Sequence, residues 1–120
     1  MSIECIRHIE NSCEIKQRLA LEQESQNNYT VAINYYLEAL GRIELLCSSY
    51  NAYIELGPSL YIQYIETSLK LAKLYKKEDH FDKYHAVILK IKSFIINLKS
   101  TLNNNKTILN QLNSITEKIN

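Results

Sequence analysis

Two glycines and one proline in 120 residues limit this chain's folds more than anything else in it. A sheet needs a turn after nearly every strand, and tight turns draw on glycine and proline for backbone angles other residues avoid. With only Gly41, Gly57 and Pro58 available, the chain reads as long helices joined by a few short loops. The apolar residues agree, because they recur at steps of three and four and so fall on one face of a helix. The fold class expected is therefore all-α, an antiparallel bundle of about five helices.

The first helix is expected from about Ser2 to Ser25, with Ser2 as N-cap and Glu4 in the first turn. Gln26, Asn27 and Asn28 interrupt it, and asparagine tolerates the left-handed angles that end a helix. From Tyr29 a second helix runs to about Ser49, with the stripe Tyr29, Ala32, Tyr36, Ala39, Ile43, Leu46 and Tyr50. Ala32 and Ala39 would let a neighbouring helix approach closely, and Gly41 reads as a packing or kink site. Tyr50 to Ser59 is the main break, because Gly57-Pro58-Ser59 is the strongest punctuation in the chain. The third helix is expected over about Leu60 to Lys77, and Asp79 is placed to cap the fourth. That fourth helix carries Phe81, Tyr84, Ile88, Ile91, Ile95 and Leu98; a last one spans about Lys106 to Ile119. Residues 1–120 read as a single domain, with 1–77 as a three-helix part and 78–120 as an added helical hairpin.

Charge is polarised along the chain. Residues 1–60 hold eight acids and four bases, a net −4, while residues 61–120 hold five acids and ten bases, a net +5. Only three of the fourteen basic residues are arginine, which weighs against nucleic-acid recognition. A lysine-rich surface for nucleic acid or anionic lipid is kept as an alternative, with peripheral membrane contact. No apolar run approaches the ~18 residues of a spanning helix. The N-terminal residues lack the apolar core of a signal peptide. Cys5, Cys13 and Cys47 are an odd set without CxxC spacing, which argues for a reducing, cytoplasmic setting.

The segment Asn27-Asn28-Tyr29-Thr30-Val31-Ala32-Ile33-Asn34-Tyr35-Tyr36-Leu37-Glu38-Ala39-Leu40 resembles the turn and second helix of the MIT domain, a microtubule-interacting and trafficking module. It is also similar to a tetratricopeptide hairpin, the competing match. In both families small residues let antiparallel helices touch while rings fill the gaps. The apolar stripe here continues beyond Ala39 through Ile43 and Leu46, like the long second helix of MIT domains. That resemblance implies a partner helix or peptide, of the kind found in ESCRT-III-type tails, lying in a groove beside the third helix. By the resemblance, Ile62, Ile65, Glu66, Leu69 and Lys73 would contact it, with Ile33, Leu37 and Leu40 as the opposite wall. The tetratricopeptide likeness implies instead a helical-repeat scaffold or an oligomerising subunit, including a homo-oligomer.

Nothing in the sequence assembles an enzyme site. His80 and His85 are five apart, whereas two histidine ligands on one helix need three or four. The cysteines fall on or beside apolar stripes, where thiols are buried and inert. No glycine-rich phosphate loop occurs, and no metal or cofactor is expected. Tyr29, Tyr36, Tyr64 and Tyr75 read as core, whereas Tyr35, Tyr53 and Tyr61 read as surface. The expected function is non-enzymatic protein binding.

Overall fold

The computed structural model describes residues 1–119. Helix takes up 87% of the described residues, and no strand occurs among them, so the all-α class holds. The helices are α1 (Ile3–Ser25), α2 (Tyr29–Cys47), α3 (Tyr50–Leu56), α4 (Ser59–Lys77), α5 (Phe81–Thr101) and α6 (Lys106–Ile119). They form a slab of 39 × 35 × 19 Å. Its short dimension is about two helix diameters.

The expected limits of the long helices stand to within a few residues. Ser2 caps α1, its hydroxyl accepting from the Cys5 N–H at 3.1 Å. Six helices replace the expected five, because part of Tyr50–Ser59 is itself helical. The Ser49 hydroxyl accepts from the Ala52 N–H at 3.3 Å and opens α3, while Ala52 anchors it in the core with no exposed surface. Gly57 closes it at φ 76° and ψ −174°, a region that essentially only glycine occupies.

Two turns share one geometry. After α1, Asn27 is left-handed at φ 64°, and the Asn28 and Asn27 N–H groups donate to Gln23 and Glu24. After α4, Asp79 is left-handed at φ 60°, and the His80 and Asp79 N–H groups donate to Tyr75 and Lys76. Both are Schellman closures with a non-glycine residue at the left-handed position. Asp79 thus ends α4 instead of capping α5. The buried positions repeat with the turns: Cys13 and Ile65, Ala20 and Ala72, Ala39 and Ile91, Ile43 and Ile95 each lie 52 residues apart. The α1–α2 and α4–α5 hairpins are therefore versions of one unit, and α6 follows the second.

The first hairpin closes on small residues. Ala20, Ala32 and Ala39 have no exposed surface, so α1 and α2 approach closely. The Cys13 thiol lies 3.6 Å from the Ala39 carbonyl and donates to it. Lys16 pairs with Glu38 at 2.8 Å, and the Arg42 guanidinium donates to Ser12 at 3.0 Å, fixing the register from the wet side. Gly41 takes no part in the packing. A methyl group there would meet nothing within 4 Å, and α2 runs through it unbroken. α4 is the central helix, flanked by α2 and α5, with α6 against its outer side. One continuous apolar cluster draws on all six helices.

Candidate functional site: an aromatic cleft

A cleft of about 520 Å³ opens at one end of the slab. Three elements build it. α3 supplies Tyr50 and Tyr53, the first turn of α4 supplies Tyr61, and the later half of α5 supplies Phe94 and Leu98. Cys47 and Leu102 also line it. The rings form a ladder: Tyr53 stacks on Tyr61 with centroids 5.7 Å apart, and Phe94 meets Tyr61 at 6.0 Å and Tyr64 at 4.7 Å. These are favourable offset and tilted separations for aromatic pairs. Ser49, Asn97 and Thr101 place polar groups at the edge.

Local sequence explains the placement. Gly57 and Pro58 fold α3 back on the start of α4, which brings Tyr53 over Tyr61. Phe94 lies on α5 beside buried Ile95 and Ile91, so packing of α5 on α4 swings its ring to the same end. The environment is apolar enough to move ionisations. Burial pushes the Cys47 thiol up to about 11, with the Glu44 carboxylate adding to the effect. Burial also raises the Tyr61 phenol. At neutral pH the Tyr61 phenol and the Cys47 thiol of the cleft therefore keep their protons. Tyr50 stands on its rim with 76% of its surface exposed.

The residues expected to contact a partner do not form one site. Ile62, Ile65 and Ile33 are core residues, and Ile65 has no exposed surface at all. The open groove drawn beside this helix from sequence is therefore filled at Ile62 and Ile65, because neighbouring helices pack on α4 from both sides. Leu37 and buried Leu40 line a different groove of about 300 Å³ between α2 and α5, floored by Tyr64, Ser68, Leu71 and Tyr75. Leu69 and Lys73 line a third cleft, shared with α5 and α6. Glu66 is exposed. Tyr53 and Tyr61, read from sequence as surface tyrosines, are half-buried and line the aromatic cleft.

Other groups singled out from sequence are scattered. Among the described residues no three His, Cys, Asp or Glu side chains group as metal ligands would. Cys13 is buried beside Gln17, and burial pushes its thiol up to about 11. No helix of the described residues is long and apolar enough to cross a membrane. No family model, curated protein or solved structure matches this chain.

Proposed function

We propose that this chain is a non-enzymatic protein-interaction module that takes the apolar face of a partner helix or peptide into the aromatic cleft. The observation that carries the reading is the run of rings Tyr53, Tyr61 and Phe94 lining an open cleft, with exposed Tyr50 on its rim. Rings of this kind dominate binding energy at interfaces because they bury much area with few rotamers to freeze. An enclosed small-molecule site covers most of its ligand, whereas this rim is open and would cover one face of a guest. Ser49, Asn97 and Thr101 are placed to hydrogen-bond a guest's backbone or polar flank. The raised Cys13 and Cys47 thiols favour binding over nucleophilic chemistry, which needs thiolate.

The likeness of the Asn27–Leu40 segment to MIT hairpins supports a trafficking adaptor whose guest is an ESCRT-III-type tail. A second reading rests on the paired turns at Asn27 and Asp79. Two hairpins of one design, stacked in order, support a helical-repeat scaffold of the tetratricopeptide kind. Both readings place a protein partner on the chain.

The test is selection of amphipathic helices from a displayed library against the whole chain, followed by anisotropy titration of the winners. Tyr53→Asp should weaken binding about thirtyfold, the ratio of a 2 kcal/mol hot spot, with the circular dichroism unchanged. Equal affinity in the variant, or no enrichment of helices over a scrambled library, refutes the reading.

A further inference from the structure

A second cleft, of about 410 Å³, lies between the last turns of α4, the first turns of α5 and the end of α6. Its floor is apolar: Leu69 and Ala72 from α4, Tyr84 and Ile88 from α5, Ile119 from α6. Its rim is cationic, with Lys73 and Lys76 from α4 and Lys118 from α6, and among the described residues no carboxylate lines it. The ion pairs among the described residues lie elsewhere, at Arg7–Glu55, Lys16–Glu38 and Lys90–Glu44. Among the described residues, none of the three rim lysines has a carboxylate within ion-pairing distance.

Lys76 and Lys118 sit in the last turns of their helices, where a cation opposes the helix dipole. That accounts for charge at two helix ends. It does not account for Lys73, a turn earlier, or for the apolar cleft between the three, where Leu69, Ile88 and Ile119 are only partly buried. We propose that this cleft is a docking site for an acidic peptide of a protein partner, one apolar side chain entering the floor while flanking carboxylates meet Lys73, Lys76 and Lys118.

Shape and charge choose this occupant over others. A bilayer is met by apolar groups that protrude, and here they are the bottom of a hollow ringed by lysines. A nucleic-acid base would need an open ring to stack on, but the Lys76 ammonium covers Tyr84, 5.4 Å from its centroid. A peptide can supply an apolar knob and carboxylates at neighbouring positions, which is how charged rims set register around an apolar anchor. The site is separate from the aromatic cleft and shares no lining residue with it. Its test is therefore independent of that reading.

The probe is a fluorescein-labelled heptapeptide pool with glutamates on both sides of a central Leu, Ile, Phe or Met. Control pools carry lysine for glutamate, or glycine at the centre. Anisotropy with the full chain should show saturable binding of the acidic apolar pool only. Lys73→Glu with Lys118→Glu should weaken it about tenfold, and Lys73→Gln with Lys118→Gln should weaken it less, with circular dichroism unchanged in both. Raising the salt should weaken the wild-type complex and leave the Glu variant little changed. No binding of the acidic pool up to about 1 mM, or equal binding by the Glu variant, overturns the proposal. Two further results overturn it in favour of another occupant. One is sedimentation with phosphatidylserine vesicles without binding of the acidic pool. The other is self-association that the Glu variant abolishes, which would assign the cleft to the acidic half of a second copy.

Discussion

Ile65 separates two accounts of α4. The hairpin resemblance makes it an anchor on an open groove, whereas the packing leaves it no exposed surface. Truncation to alanine then removes a fully buried branched side chain and leaves a void that rigid helices cannot close, at a cost of about 2–5 kcal/mol. Ile65→Asp adds a carboxyl group with no partner designed for it, so the charged form is strongly disfavoured. A domain of this size has roughly 5–15 kcal/mol in all, and the aspartate variant should lose much of it at neutral pH. The sign with pH follows from linkage. In the folded variant the aspartic acid would hold its proton to a higher pH than in the unfolded chain, so stability is lost as pH rises through the folded value and regained as it falls. Urea titrations followed by far-UV circular dichroism, at neutral and mildly acidic pH, measure both effects relative to wild type. An Ile65→Asp protein within about 1 kcal/mol of wild type at neutral pH would refute the burial argument and restore the groove.

Gly41→Ala should stabilise the protein by about 1 kcal/mol, because the added methyl meets nothing and α2 gains propensity; Gly57→Ala should cost about 1–3 kcal/mol, because its backbone angles exclude a side chain. Thermal melts of the two variants should move in opposite directions. Ala39→Leu, at the α1–α2 seam with no free surface, should cost about 1–3 kcal/mol by overpacking, read from the urea midpoint. Cys13 and Cys47 keep their protons to about 11 in the fold against an ordinary 9.0. Above the ordinary value the unfolded chain releases those protons first, so stability should fall as pH rises from about 9 to about 11. Brief alkylation near neutral pH, followed by mass spectrometry, should mark exposed Cys5 well before Cys13.

Helices were legible because their signal is local. The three–four spacing along Tyr29, Ala32, Tyr36, Ala39 and Ile43 fixes both an element and its inward face, and Asn27 marks where it starts. α3 was not legible. Seven residues are too few to show a period, and its helicity rests on the Ser49 cap and on Ala52 reaching a core made by other elements. Gly41 misled because a glycine within a helix looks alike whether it admits a neighbour or merely lowers propensity. The binding surface was the least legible part. Ile62 and Ile65 have the apolar spacing of a docking face, and only the arrival of neighbouring helices decides that they are core. The aromatic cleft joins Cys47, Tyr53, Tyr61, Phe94 and Leu102, which no periodicity connects. The available hint was that Tyr53 belongs to no apolar stripe, so its ring needed another use.

Chemical-shift mapping of a selected helix on the isotopically labelled chain tests the central claim most directly. The account predicts shifts centred on Tyr50, Tyr53, Tyr61, Phe94, Leu98 and Leu102, with the α2–α5 groove at Leu37 and Leu40 silent. Shifts centred on Leu37, Leu40 and Tyr75, with the aromatic cleft unmoved, would contradict it.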